Sequence, residues 1–422
     1  MKFGVFYELQ LPKPWKEGGE HQLFQEALEQ IVLADKLGID HAWAVEHHFL
    51  DEYSHCSAPE VFLAAAAGMT KNIRLGHGIK QVIPNYNHPA RTAEALATLD
   101  LVSNGRVDFG IGEGATRLEL GGFGIPARQK RAMAIESAEQ IANMMTMTPY
   151  PGYESDNFSM PCRNVLPKPL QTPHPPMWMA CTNRDTIKVA AAMGVGALAF
   201  SFLDREEAKA WADIYYGIIK SKQCVPIGHS VNANIAIVSN FSLHHDREEA
   251  IRRGQLNFEF FGYAMHALVA KDTVPGRTDI WGEYIAQHGT TAEDLIATVQ
   301  RSRTHVSGIG TPDDLSSHIA DFEAAGVDQI ILLQQAGNNP HSEICESLEL
   351  FGAEVQPRFK PRQAEKQAAK EKELAPYIEA ALARKQYMKP LADHEIPIVK
   401  ASVKQVQAAG IEAASIEAAG TK

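Results

Sequence analysis

Acidic and imidazole side chains stand side by side in the run Glu46-His47-His48, which directly follows an apolar segment typical of a short β-strand. Histidine exchanges protons near neutral pH, so this run suits general acid–base work or hydrogen bonding with a cofactor. A metal site and a purely structural role are alternatives, although neighbouring histidines on an extended segment point to opposite faces and rarely share a metal. We predict His47 and Glu46 as catalytic residues, with Glu46 fixing the tautomer of His47.

Two further segments are suited to holding a phosphate group. Gly112-Glu113-Gly114 and Thr182-Asn183-Arg184 offer small residues, backbone N–H groups and a hydroxyl just before predicted helices. Such turns bind anions, although Gly-rich turns also end many strands that bind nothing. Arg131 and Arg184 add positive charge nearby in the sequence. Together these features predict a cofactor that carries phosphate.

Strand and helix patterns alternate along most of the chain, and these elements must position the residues above. We predict eight strands, each followed by a helix: Lys2–Tyr7, His41–Val45, Ile73–Gly78, Val107–Gly112, Met177–Cys181, Ala197–Ser201, Asn232–Val238 and Gln329–Leu333. Eight units of this kind favour an α/β fold of the closed (β/α)8 TIM-barrel type over an open sheet, and no G-x-G-x-x-G motif follows the first strand. A barrel places its active site at the C-terminal strand ends, where His47, Gly112 and Thr182 fall.

Two long segments interrupt the alternation, and the composition changes near the end of the chain. Thr148–Pro176 follows the fourth unit and Gly262–Ile309 follows the seventh. Because insertions of this length usually carry function or form lids, we expect both to roof the active site. Residues 1–360 are predicted to form the barrel and residues 361–422 an appendage. The helix pattern Arg362–Arg384 has an apolar stripe that needs a surface to cover, on its own barrel or on a neighbouring subunit.

Charge and composition argue against several classes of protein. The 422 residues include 40 Lys plus Arg and 51 Asp plus Glu, a net charge of −11. With no basic stripe in the sequence, nucleic acid and anionic membranes are poor partners. No apolar stretch is long enough to cross a bilayer, and no signal-peptide pattern stands at the N-terminus. The five cysteines are scattered, which argues against disulfides or a cysteine zinc site and suits the cytoplasm.

Several stretches of the chain match a known family: Met1–Gly4, Trp43–Phe49, Val82–Pro84, His88–Glu94, Ser103–Gly112, Phe123–Gly124, Pro176–Thr182 and Ile309–Asp313. On these stretches the sequence resembles the bacterial luciferase-like, flavin-dependent monooxygenases over residues 1–357. The run E-H-H-F and the pattern H-P-x-R-x-A-E followed by S-x-G-R are the specific parts of the match. The resemblance implies a (β/α)8 barrel, in agreement with the alternation of elements.

The resemblance also implies a chemistry and a set of partners. The chain would be a two-component monooxygenase that uses reduced FMN, supplied by a separate flavin reductase, and dioxygen as cosubstrate. A flavin C4a-(hydro)peroxide would oxygenate a small organic substrate, such as an aldehyde, a ketone or an aromatic compound, without a metal. A homodimer is expected. The alternatives are a deazaflavin-dependent hydride-transfer oxidoreductase, a non-catalytic flavin-binding subunit and a metal-dependent hydrolase.

Individual site residues follow from the same resemblance. His47 matches the histidine beside the flavin, Arg131 matches a phosphate ligand, and a non-proline cis peptide is expected within Gly76–Ile79. The predicted cofactor-binding residues are His77, Gly78, Glu113, Gly114, Arg131, Thr182, Asn183, Arg184, Thr186 and Ser201. The predicted substrate walls are Phe6, Trp43, Phe200, Phe202 and Trp281.

The chain departs from the luciferases in the predicted phosphate site, where Asn183 also replaces a serine. Where the luciferases carry Cys-Arg, this sequence has Gly112-Glu113. One phosphate-binding arginine is therefore absent, and Glu113 would repel a phosphate unless it is turned away. We expect Arg184 to substitute for the missing arginine, and we do not expect light emission.

Overall fold

A closed barrel of parallel strands forms the centre of the computed structural model, which describes residues 1–200, 202–289 and 308–400. The strands of these ranges are β1 (Lys2–Tyr7), β2 (His41–Ala44), β3 (Arg74–His77), β4 (Lys80–Gln81), β5 (Val107–Gly112), β6 (Tyr150–Glu154), β7 (Ser159–Arg163), β8 (Met177–Cys181), β9 (Gly196–Ala199), β10 (Ile235–Asn240), β11 (Ser242–Leu243), β12 (Ile309–Gly310) and β13 (Gln329–Gln335). The barrel follows the order β3-β2-β1-β13-β10-β9-β8-β5, and β5 pairs with β3 to close it. The predicted TIM barrel is confirmed.

Helices connect the barrel strands on the outside. The helices of the described ranges are α1 (Gly19–Leu37), α2 (Pro59–Met69), α3 (Pro89–Val102), α4 (Arg117–Gly122), α5 (Lys130–Thr146), α6 (Arg184–Ala192), α7 (Arg205–Ile219), α8 (Arg247–Ala270), α9 (Ile280–His288), α10 (Pro312–Ala325), α11 (His341–Leu350) and α12 (Gln363–Arg384). Strands covered on both faces are buried throughout, as β13 illustrates: its centre Ile330–Leu333 is apolar, and the three glutamines at its ends are buried as well.

Close packing inside the barrel explains one glycine of the strands. Trp43 on β2 is fully buried, and its ring lies against β3. A Cβ at Gly76 would lie 2.2 Å from Cε3 of Trp43, which no side chain tolerates. Glycine at position 76 therefore makes room for the indole at the centre of the barrel.

The chain divides into two compact units. The first unit comprises Met1–Thr146 and Val165–Tyr387. It includes α12, because Leu374 is buried and Nζ of Lys370 contacts Oδ1 of Asp328 at 2.6 Å. The apolar stripe predicted for this helix thus covers its own barrel.

The second unit consists of Met147–Asn164 and the chain from Met388 onward, of which residues 401–422 lie outside the described ranges. Its antiparallel hairpin of β6 and β7 pairs Tyr150 with Arg163. Tyr153 and Phe158 stack with ring centroids 5.3 Å apart. This hairpin is the main structure of the insertion that follows the fourth barrel strand.

Candidate active site

A cavity of about 360 Å³ lies at the C-terminal ends of the barrel strands. Most of its wall is apolar: Phe6, Trp43, Val45, Ile79, Ile111, Met179, Leu198, Phe200, Val238, Met265, Leu268, Val269 and Ile331. The volume falls in the range of about 300–1,000 Å³ that is usual for small-molecule sites. The described lining residues all belong to the first unit, and α8 supplies Met265, Leu268 and Val269 from the predicted second insertion.

His47 lies in this wall between two buried carboxylates. Its Nδ1 is 2.9 Å from Oε1 of Glu119, and its Nε2 is 3.3 Å from Oε1 of Glu8. Glu8 follows β1 and Glu119 lies on α4, so two separate elements hold the ring from opposite sides. Glu119 is itself fixed, because the hydroxyl of Thr116 donates to its Oε2 at 2.8 Å and the backbone N–H of His48 donates to its Oε1 at 3.2 Å.

These neighbours set the charges at the site. Burial opposes protonation of His47, but the negative charges of Glu8 and Glu119 outweigh it and raise the pKa of His47 to about 9. Burial raises the pKa of Glu8 to about 7, although His47 opposes the shift. Burial also works against ionisation of Glu119, yet the hydrogen bond from His47 lowers the pKa of Glu119 below its usual value. Near neutral pH, His47 is therefore a charged donor and Glu8 is the group that gains or loses a proton.

Glu46 does not fix the tautomer of His47, which corrects the expectation from the sequence. Its buried carboxylate accepts hydrogen bonds from the N–H of Gln81 at 2.8 Å and from Nδ2 of Asn87 at 2.9 Å. Nζ of the buried Lys80 lies 3.1 Å away, and Nε2 of His48 lies 3.2 Å away. Burial opposes its charge, but these partners lower the pKa of Glu46. Glu46 thus anchors β4 from outside the cavity lining, and the carboxylate beside Nδ1 of His47 is Glu119.

The structure brings part of the predicted phosphate site to the cavity. Glu113, Gly114 and Arg131 line it, but Glu113 is paired with Arg131 through two contacts of 3.0 Å. Lys130, a lining residue that the sequence did not suggest, donates to the carbonyl oxygen of Gly114 at 2.6 Å and lies 3.6 Å from Glu113. The positive charge at this end of the cavity is thus partly neutralised.

The segment before α6 contributes unevenly to the cavity. Thr182 and Thr186 line it, whereas Asn183 caps α6 by accepting hydrogen bonds from the N–H groups of Asp185 and Thr186 at 3.0 Å. Arg184 is exposed and paired with Glu207 at 2.8 Å, so it does not replace the missing arginine. Ser201 lies outside the described residues.

The turn after β3 contains the expected non-proline cis peptide, but only part of the turn lines the cavity. The peptide bond between Gly78 and Ile79 is cis, and both residues line the cavity. His77 is buried outside the lining, and burial lowers its pKa to about 4. Gly112 lies opposite this turn, where a Cβ would come within 1.9 Å of Cδ1 of Ile79.

The predicted aromatic walls divide into two groups. Phe6, Trp43 and Phe200 line the cavity, and the rings of Phe6 and Phe200 lie 5.3 Å apart. Phe202 is outside the lining because it is 44% exposed and packs on Phe258 of α8. Trp281 is also outside it, since its ring packs on Phe260 at 4.8 Å.

Glu8, Glu119 and the lining residue Tyr53 were not identified from the sequence. One signal for Glu119 was present, because Thr116 and Glu119 have the T-x-x-E spacing of a capping box. That spacing predicts a helix start but does not show that its acid contacts a histidine 72 residues away. Among the described residues, no group of three His, Cys, Asp or Glu side chains could hold a metal ion. None of the described helices has the length and apolar character needed to cross a bilayer.

Comparison with known proteins identifies relatives of this chain. The family model of the luciferase-like monooxygenases matches residues 1–329. The chain is 25% identical over 378 residues to an alkanal monooxygenase alpha chain of Photorhabdus luminescens. The aligned region covers 86% of this chain and 99% of the relative. The chain is also 29% identical over 197 residues to the oxygenase component of a flavin-dependent trigonelline monooxygenase of Acinetobacter baylyi, covering 46% and 52%.

Solved structures show the same fold. The monooxygenase RslO1 of Streptomyces bottropensis superposes with a TM-score of 0.67 at 26% identity, covering 85% of this chain and 100% of the other. The oxygenating constituent of 3,6-diketocamphane monooxygenase of Pseudomonas putida, in complex with FMN, has a TM-score of 0.62 at 21% identity, covering 85% and 98%. A coenzyme F420-dependent tetrahydromethanopterin reductase of Methanopyrus kandleri has a TM-score of 0.59 at 21% identity, covering 85% and 99%.

Proposed function

This chain belongs to the luciferase-like monooxygenase family and is an enzyme of the flavin-dependent monooxygenase class, and from that premise we propose that it is the oxygenase of a two-component system. It would take reduced FMN from a separate flavin reductase and oxygenate a small organic substrate with dioxygen. The observation that carries the proposal is the apolar cavity in which His47 lies between Glu8 and Glu119.

The residues of the cavity fit FMN. A broad apolar wall that includes Trp43 and Phe200 suits a flat aromatic ring. Thr182 and Arg131 offer hydroxyl and guanidinium donors of the kind that hold a phosphate, although Glu113 competes for Arg131. The hydroxyl of Thr186, which also lines the cavity, already donates to the carbonyl oxygen of Asn183 at 2.8 Å. When bound, reduced FMN would supply the electrons that activate dioxygen.

The chain's own residues would exclude water and manage protons. The apolar wall keeps water from the reacting centre. His47 donates from Nε2, the ring nitrogen on the side of Glu8, while Glu119 holds Nδ1 and the orientation of the ring. Glu8 can return a proton to His47 or take one from it, because its pKa of about 7 lies near neutrality. A donor held in this way would protonate oxygen on the substrate or on the oxidant.

Substrate, partners and location belong to the same proposal. The apolar wall favours an aldehyde, a ketone or an aromatic compound. The name of the Acinetobacter relative as an oxygenase component supports a separate reductase. We expect a homodimer, and the five free cysteines suit a reducing cytoplasm.

Rapid mixing tests the proposal. Protein with reduced FMN is mixed with dissolved dioxygen, and the flavin absorbance is followed as it reoxidises. We expect a transient flavin species that persists longer on the protein than in a solution of free flavin. Oxygen should then be incorporated into an added aldehyde or ketone. Reoxidation at the rate of free FMN would contradict the proposal.

A deazaflavin-dependent hydride transfer is the second candidate, because the F420-dependent reductase shares the fold. Titration separates the two functions. Tighter binding of F420 than of reduced FMN, together with hydride transfer to F420 from an alcohol, would favour the second candidate. Metal analysis of the purified protein would in turn detect a hydrolase of the metal-dependent class.

A further inference from the structure

The cationic side chains at the phosphate end of the cavity are already paired with one of the protein's own carboxylates. Apart from His47, the cationic side chains among the described lining residues are Lys130 and Arg131. Glu113 contacts Arg131 through Nε and Nη2, both at 3.0 Å, in the bidentate geometry that guanidinium and carboxylate prefer. Lys130 lies 3.6 Å from the same carboxylate and is also bound to the carbonyl oxygen of Gly114.

The pairing of Glu113 with Arg131 disfavours binding of a phosphate group at this end of the cavity. To bind Arg131 bidentately, a phosphate dianion must displace Glu113 or share the guanidinium with it. A carboxylate that stays beside the phosphate repels it, and one that moves away loses its two hydrogen bonds. The exposed Arg184 cannot compensate, because it is paired with Glu207 outside the cavity lining.

We infer that Glu113 is a specificity residue that cancels the preference for a phosphorylated flavin, so that the cavity binds riboflavin about as well as FMN and releases FMN readily. The inference rests on the proposed function, because it assumes that a flavin occupies the cavity. It concerns the ratio of the dissociation constants of FMN and riboflavin, which is measured without catalysis. A weakly held flavin suits an enzyme that receives its reduced flavin by diffusion.

Binding of oxidised FMN and of riboflavin to the full chain tests the inference, with fluorescence titration or calorimetry as the readout. For the wild type we expect dissociation constants of the two flavins within about threefold of each other. In Glu113→Gln we expect FMN to bind about tenfold more tightly while riboflavin changes less than about twofold. The gain for FMN should shrink in high salt, because the charges at this end are partly exposed.

Glu207→Gln is the matched control, since Glu207 also forms a bidentate pair with an arginine but lies outside the cavity lining. It should change neither affinity. Equal tightening of both flavins in Glu113→Gln, or no tightening of FMN, would overturn the inference while leaving the proposed function intact. If neither flavin binds wild type or variant, the proposed function fails and the inference fails with it.

Discussion

His47 keeps its proton because each of its ring nitrogens faces a carboxylate. Glu119 holds Nδ1 through a hydrogen bond of 2.9 Å, and Glu8 lies on the side of Nε2. Such an imidazolium cannot serve as a general base near neutral pH, because it has no free lone pair. Its use is therefore as a donor, and Glu8 is the acid that can exchange a proton with it.

Removal of the imidazole should separate flavin binding from oxygenation. In His47→Ala we expect an unchanged fold and flavin affinity, with coupled product formation lowered at least about 10²-fold and peroxide release increased. Product and peroxide are measured together in single-turnover assays. His48→Ala is the control, since His48 contacts Glu46 and lies outside the cavity lining, and it should lose less activity. Oxygenation at the wild-type rate in His47→Ala would refute the role given to this residue.

The pKa of His47 should depend on Glu119. Because an adjacent carboxylate favours the charged imidazole, Glu119→Gln should lower this pKa from about 9 by roughly one unit or more. Loss of the proton, and of any activity that needs it, then moves to lower pH. NMR titration of the imidazole measures the shift. Asp314→Asn is a control from the capping box of α10 and should leave His47 unchanged. An unaltered pKa in Glu119→Gln would mean that Glu8 alone sustains the charge.

The sequence predicts a role for His47 but does not identify the two carboxylates that contact it. The histidine sits in a specific motif at a strand end, whereas Glu8 is a single acid after β1 and Glu119 lies on a helix of six residues. For the same reason the sequence suggested Glu46 as the partner, because it is adjacent in the chain. Adjacency along an extended segment directs the two side chains apart, and the contact of His47 is made instead by a distant element.

At the scale of elements, α4 is the link between the fold and the site. The helix begins with a reciprocal capping box in which Thr116 binds the N–H of Glu119 and Glu119 binds the N–H of Thr116. The other carboxylate oxygen of Glu119 accepts from His47. One side chain therefore caps the start of a helix and orients the imidazole.

Loss of the helix cap at Thr116 should change the pKa of His47 as well as the stability of the protein. Thr116→Ala should cost about 1 kcal/mol of unfolding free energy and should also lower the pKa of His47, because without the Thr116 hydroxyl the carboxylate of Glu119 is no longer fixed against Nδ1. Denaturant unfolding and NMR titration measure the two effects. Thr311→Ala removes the equivalent cap of α10 and should cost a similar free energy without moving the pKa. Equal behaviour of both variants in the titration would show that α4 does not position His47.

Most elements of the barrel could be predicted because their patterns are local. Strands β1, β5 and β8 have the predicted bounds, since each is an apolar run that ends at a polar or glycine turn. Helix α8 continues to Ala270, past Gly262, where the second insertion was expected to begin. No neighbouring atom restricts Gly262, and a single glycine costs a long helix only about 1 kcal/mol. Helix α4 and the hairpin were missed because their short segments have no clear periodicity.

At the scale of the whole first unit, α12 completes the barrel's outer layer. Lys370 reaches Asp328 just before β13, and Arg384 donates to the carbonyl oxygen of Cys224 at 2.8 Å. Leu374 and Ala381 are buried between these polar contacts. The amphipathic pattern was visible in the sequence, but which surface it covers is decided by tertiary contacts that no local pattern records.

A charge placed on the buried side of α12 should destabilise the barrel. Leu374→Asp should lower the unfolding free energy by about 3 kcal/mol, because Leu374 is only 2% exposed and Asp would lose its hydration there. Thermal unfolding measures the loss. Tyr377→Asp introduces the same side chain at a position of the same helix that is 40% exposed, and it should have a small effect. Similar melting temperatures for the two variants would show that α12 contributes no stability to the barrel.

The contact between Gly112 and Ile79 has a consequence for how this site can evolve. With the present isoleucine, even a methyl group at position 112 would lie 1.9 Å from Cδ1 of Ile79. Any side chain at position 112 therefore requires the end of the Ile79 side chain to move, and a smaller residue at position 79 would remove that need. The two positions are coupled, and we expect a substitution at position 112 to be tolerated better after one at position 79 than before it. A lineage that changes position 79 first avoids this rearrangement of the cavity floor.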